Sequence, residues 1–90
     1  MNYCGIDLHS NRFTCCFLYE DGNREKITFD VSADAIEKFK SMLNLNTSVI
    51  IEASTNTFKF AESIKDLVNE IIILNTYKMK LIPMSGKKTD

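Results

Sequence analysis

Apolar and polar residues alternate through the first third of the chain and then give way to longer apolar runs. Asn2–Leu8 is a short, mostly apolar stretch that reads as a first strand, with one carboxylate, Asp7, near its far end. Ser10 and Asn11 make a turn. Arg12–Tyr19 reads as a second strand with Phe13, Phe17 and Tyr19 on one face. Asp21-Gly22 is a strong hairpin signal, because glycine tolerates positive φ. In Arg24–Val31 the apolar Ile27, Phe29 and Val31 alternate with Lys26, Thr28 and Asp30. That period of two predicts a third strand with one wet face, as at a sheet edge.

Helical spacing follows. Ser32 is placed to cap a helix over Ala33–Leu43, with Asp34 in its first turn and Ile36, Phe39 and Leu43 on one side. Asn44–Thr47 is a polar loop. Ser48–Ala53 reads as a fourth strand, and the unbroken Val49-Ile50-Ile51 predicts cover on both faces. After the polar loop Ser54–Thr57, the residues Phe60, Ala61, Ile64, Leu67 and Val68 form one apolar stripe, which predicts a second helix. Ile71–Leu74 reads as a fifth strand. Tyr77–Met84 reads as one or two amphipathic turns, and Ser85–Asp90 is polar.

The order β-β-β-α-β-α-β predicts an α/β fold. Three strands form an antiparallel meander, and two right-handed crossovers add parallel strands beyond the first. The predicted product is a mixed five-stranded sheet of order 3-2-1-4-5 with the first strand at its centre. The crevice beyond the carboxyl ends of the strands at such a switch point is where ligands bind in open α/β sheets.

Asp7 and Glu52 stand at the carboxyl ends of the first and fourth strands, which this topology makes neighbours about 4.8 Å apart. Two unpaired carboxylates that close repel, and a divalent cation relieves the conflict. Oxygen ligation without cysteine or clustered histidine suits Mg²⁺ or Mn²⁺, with a two-metal site as one possibility. Paired metals stabilise the attacking and leaving oxygens of a phosphodiester displacement. The competing reading makes Asp7 and Glu52 ordinary strand-end acids bonded to loop N–H groups. His9 lies close enough in sequence to touch the same site, although a histidine after a strand is more often a loop residue.

Ninety residues support one domain over 1–90 with a single modest core. The formal net charge of −1 points by itself to neither nucleic acid nor membrane. Its distribution is uneven: residues 1–70 hold 11 acids and 7 bases, whereas Lys78, Lys80, Lys87 and Lys88 face only Asp90 beyond them. A basic end on an acidic body could meet phosphate. Cys4, Cys15 and Cys16 lack metal-ligand spacing and read as reduced structural thiols. No leader pattern and no ~20-residue apolar span is present, so the sequence reads as soluble and cytoplasmic, with no membrane partner.

Three segments, Gly5-Ile6-Asp7-Leu8-His9, Ile51-Glu52-Ala53-Ser54 and Lys88-Thr89-Asp90, together resemble the N-terminal domain of the DEDD insertion-sequence transposases, a group that includes Piv-type DNA invertases. The resemblance covers nearly the whole chain in order. It implies a ribonuclease H-like, RuvC-type fold and metal-dependent DNA cleavage and strand transfer in transposition. By resemblance, Asp7, Glu52 and Asp90 are the first three acids of a catalytic metal tetrad, whose fourth member would follow Asp90. It further implies DNA and a structured guide RNA as partners, a separate C-terminal domain with a serine nucleophile, and a homo-oligomer. His9, Lys78, Lys80, Lys87 and Lys88 are the candidate nucleic-acid contacts. Ser10 stands where many members carry lysine, and Thr55 where many carry glycine. The end at Asp90, inside a motif, reads as an N-terminal fragment that is a poor enzyme alone. Two other readings compete: a non-catalytic nucleic-acid-binding or oligomerisation module of the same fold, and an actin-like ATPase fragment. The ATPase reading suffers from the bulk of His9-Ser10-Asn11 where phosphate would approach.

Overall fold

A computed structural model of the chain describes residues 1–75 and 80–83. Strands β1 (Asn2–Leu8), β2 (Arg12–Leu18) and β3 (Arg24–Asp30) are followed by helix α1 (Ala33–Ser41) and strand β4 (Thr47–Glu52). Helix α2 (Thr57–Ile64) runs into a short 3₁₀ turn (Lys65–Leu67), and β5 (Glu70–Asn75) and β6 (Lys80–Pro83) complete the sheet.

The meander forms where the turn chemistry dictates. Gly22 takes φ +92°, a left-handed conformation that favours glycine, between β2 and β3. The Asp21 carboxylate accepts from the Asn23 N–H at 2.8 Å, and Tyr19 N–H donates to the Asn23 carbonyl at 2.9 Å. Ser32 caps α1, its hydroxyl accepting from Ala35 N–H at 3.2 Å. The helix ends at Ser41, two residues short of the expected Leu43.

The strand order is β3-β2-β1-β4-β5-β6, with β1 antiparallel to β2 and parallel to β4. The expected five-strand order 3-2-1-4-5 is thus present, with a sixth strand added. β6 pairs antiparallel with β5, Ile73 opposite Ile82 and Leu74 opposite Leu81. The amphipathic turns expected over Tyr77–Met84 therefore give way to a strand at Lys80–Pro83. Four residues are too few to set a helical or a strand period, and the free edge of β5 decides the outcome. Pro83, which has no N–H to give, is tolerated at such an edge.

Cys4, Ile6, Phe13, Cys15, Phe29, Val49, Ile51, Ile71 and Ile73 all project from one face of the sheet into the core. Phe39 from α1 and Ala61 and Ile64 from α2 pack on that same face. The rings of Phe13 and Phe39 lie 5.0 Å apart edge to face, and Phe13 stacks on Phe29 at 5.2 Å. This aromatic group joins both helices to the sheet.

Among the described residues, no helix covers the opposite face. Ile50 is 37% exposed there, and Tyr3 is 46% exposed. The expectation that β4 is covered on both faces is therefore wrong. Both crossovers step in the same direction across the sheet, from β3 to β4 and from β4 to β5. Two right-handed crossovers in one direction must lay both helices on one side. No helix among the described residues is long and apolar enough to cross a membrane.

Candidate functional site

The register Gly5–Ile50 and Ile6–Ile51 brings Asp7 and Glu52 to the next neighbouring positions on β1 and β4. Side chains alternate across a strand, so Asp7 shares the helix-free face with Tyr3 and Gly5, and Glu52 shares it with Ile50. The two acids line one shallow depression of about 400 Å³, with Gly5, Thr14, Lys26 and Ile50 around them.

Among the described residues, no loop N–H donates to either carboxylate. Asp7 Oδ2 lies 3.1 Å from His9 Nε2, both side chains more than half exposed. Glu52 has no hydrogen-bond or ion-pair partner for its carboxylate among the described residues. The reading of both as strand-end acids satisfied by loop N–H groups therefore fails.

The main chain around Glu52 is held by a residue that the sequence pattern did not single out. Thr57 is fully buried at the start of α2. Its hydroxyl donates to the Glu52 carbonyl at 2.8 Å and accepts from the Ser54 N–H at 2.8 Å. The Ser54 hydroxyl donates to the same oxygen at 2.9 Å. Ala53 N–H, in turn, donates to the Leu74 carbonyl at 2.8 Å. The available signal is a serine and a threonine three residues apart, beginning two residues after a strand-end acid.

A small crevice of about 200 Å³ opens between Leu8, His9 and Ser10 on one side and Ser54, Thr55 and Asn56 on the other. It lies beyond the carboxyl ends of β1 and β4, where the chain's direction of build reverses. A more polar hollow of about 500 Å³ adjoins His9 and is lined by Ser10, Asn11, Arg12, Thr14 and Thr28. Thr14 and Thr28 are joined through their hydroxyls at 3.0 Å.

Among the described residues, no group of three or more His, Cys, Asp or Glu is drawn together tightly enough to hold a metal. Asp7 and Glu52 supply two oxygen ligands on neighbouring strands, and that donor set fits a hard divalent cation needing further ligands. The expected third acid, Asp90, lies outside the described residues, as do Lys78, Lys87 and Lys88. Of Lys80 only the backbone, in β6, is described. Cys4 and Cys15 lie in the core on the other face of the sheet, whereas Cys16 lines the depression with Asp7 and Glu52. Cys4 and Cys15 are buried free thiols, and a hydrogen bond with Cys4, reinforced by burial, pushes the Cys15 thiol far above its usual range. Cys16 is free and exposed.

No protein-family model matches this chain, and no curated protein matches it.

Proposed function

We propose that this chain is the N-terminal, RuvC-like domain of a DEDD-type transposase or recombinase, in which Asp7 and Glu52 hold Mg²⁺ or Mn²⁺. One observation carries the reading. Among the described residues, two exposed carboxylates without a lysine or arginine partner stand at the ends of adjacent parallel strands, where the sheet changes its direction of build. Structural acids at such positions ordinarily find a lysine, an arginine or a loop N–H. The sheet order and the three motif segments agree with a ribonuclease H-like assignment.

When bound, a divalent ion would supply Lewis-acid stabilisation of charge on the oxygens of a phosphodiester. The chain's own residues have distinct tasks. His9 orients the Asp7 carboxylate through its Nε2 contact. Thr57 fixes the Glu52 main chain, and so the point from which that carboxylate projects. Arg12, with Ser10 and Asn11, offers a cation and hydrogen-bond donors to a phosphate in the hollow beside His9. Asp90 is the proposed third ligand. DNA is the proposed substrate, with a guide RNA, a serine-bearing C-terminal domain and further copies of the chain as proposed partners.

Fluorescence anisotropy with a labelled DNA duplex tests this reading. Binding should tighten when Ca²⁺ or Mg²⁺ replaces EDTA, and Asp7→Asn with Glu52→Gln should remove that increment. Metal-independent binding that these substitutions leave unchanged would favour a non-catalytic nucleic-acid module instead.

A further inference from the structure

β3 is an outer strand of the sheet, and among the described residues nothing pairs with its free side. Tyr19 N–H donates to the Asn23 carbonyl, so that couple is a hydrogen-bonded pair of the antiparallel β2–β3 ladder. Pair types alternate along such a ladder. Phe17–Glu25, Cys15–Ile27 and Phe13–Phe29 are then the hydrogen-bonded pairs, in an unbroken register from Leu18–Arg24 to Arg12–Asp30. It follows that the N–H and C=O groups of Arg24, Lys26, Thr28 and Asp30 point outward, away from β2. Each of these four residues is exposed, and none of the three charged ones forms an ion pair among the described residues.

The charges on this edge are ordered. Arg24 and Lys26 stand at its start and Asp30 at its end, all with side chains on the helix-free face. Laid antiparallel against itself about Ile27, the strand places Arg24 opposite Asp30 and Lys26 opposite Thr28, with Ile27 beside its own symmetry mate. All seven residues overlap in that register. The outward-pointing N–H and C=O groups of both copies meet as hydrogen-bonded pairs, and the ion pair Arg24–Asp30 occurs twice. A slip of two residues in one direction sets Lys26 against Lys26. The opposite slip shortens the overlap and leaves Arg24 without a partner. An isologous contact of this kind is self-complementary by symmetry.

We propose that two copies of this chain associate through β3, antiparallel and centred on Ile27, to make one continuous sheet across both molecules. The contact lies at the edge of the sheet. Of the residues lining the depression that holds Asp7 and Glu52 it involves Lys26 alone, and it stands or falls independently of any metal or DNA chemistry.

Sedimentation velocity on the chain up to about 1 mM tests this. The expected result is a monomer–dimer equilibrium that R24E or D30K alone weakens roughly ten-fold or more. Each single change puts like charges opposite one another twice per dimer. The double variant R24E/D30K restores the opposite charges and should recover the dimer to within about three-fold of the original. Amide hydrogen exchange of the unaltered chain supplies a readout that needs no substitution. The Lys26 and Thr28 amides should exchange freely when dilute and gain protection with concentration. A chain that stays monomeric, single variants that dimerise as well as the original, a double variant that does not recover, or Lys26 and Thr28 amides blind to concentration would each overturn the pairing.

Discussion

The Thr57 hydroxyl donates to the main-chain carbonyl of Glu52 at 2.8 Å, and so the first residue of α2 holds the last residue of β4 in place. Thr57 is wholly buried, and its oxygen also accepts from the Ser54 N–H. Replacement by valine keeps the shape and strands both backbone groups. The cost of leaving buried polar groups unpaired is about 1–3 kcal/mol each when water cannot reach them. Thr57→Val should therefore lower stability by about 2 kcal/mol in urea denaturation, and Thr57→Ser by clearly less. Equal losses for the two would show that the methyl group, and not the hydroxyl, matters.

Phe13 touches the rings of Phe29, Phe39 and Phe60 and so joins β2, β3 and both helices. Phe13→Ala should cost about 3–5 kcal/mol, which for a domain of this size approaches the whole margin of stability. Circular dichroism melts would show this as a broad or absent transition at ordinary temperature. A cooperative melt within a few degrees of the original would contradict it.

Tyr19 provides a pH signature. Its removal from water, together with its 2.7 Å hydrogen bond to Glu25 and the negative charge there, raises the phenol from 10.0 to about 12. The folded value lies above the ordinary one, so the neutral phenol favours folding. That contribution is fully present below about pH 10 and is lost as pH rises toward 12. Ultraviolet titration should show one tyrosine ionising near pH 12, and Glu25→Gln should bring it down. A Tyr19 that ionises at its ordinary value with Glu25 intact would contradict the contact.

The thiols separate by burial. Cys4 and Cys15 are fully buried, and Cys16 is exposed on the helix-free face. Alkylation of the native chain should add one label, at Cys16, and denaturation should expose all three sites. Rapid labelling of Cys15 in the native state would mean that the core opens beside β1.

Much of the fold was legible in the sequence because its signals are local. The Asp21-Gly22 turn and the Ser32 cap each depend on a few adjacent residues and appear as expected, and the alternation in β3 holds for Ile27 and Phe29, whereas Val31 falls beyond the strand and is exposed. Two features were less accessible. β6 owes its conformation to a hydrogen-bonding partner in β5, and four residues carry no periodicity of their own. The exposure of Ile50 depends on which side the helices take, which the local apolar run at Val49-Ile50-Ile51 cannot express. The handedness of the crossovers, applied to the strand order, does express it. The candidate site was half legible: strand-end position pointed to Asp7 and Glu52. The Thr57 tether was not, because a buried threonine at the start of a helix leaves no hydrophobic pattern.

The proposed metal site is tested most directly by adding Mn²⁺ to the isotopically labelled chain and following paramagnetic broadening of its amide resonances. The expected result is early, selective loss of signals at Asp7, Leu8, Glu52 and Ala53, abolished by Asp7→Asn with Glu52→Gln. Broadening centred on other surface acids such as Asp34 and Glu37, or broadening at the ends of β1 and β4 that survives both substitutions, would contradict a metal site built on Asp7 and Glu52.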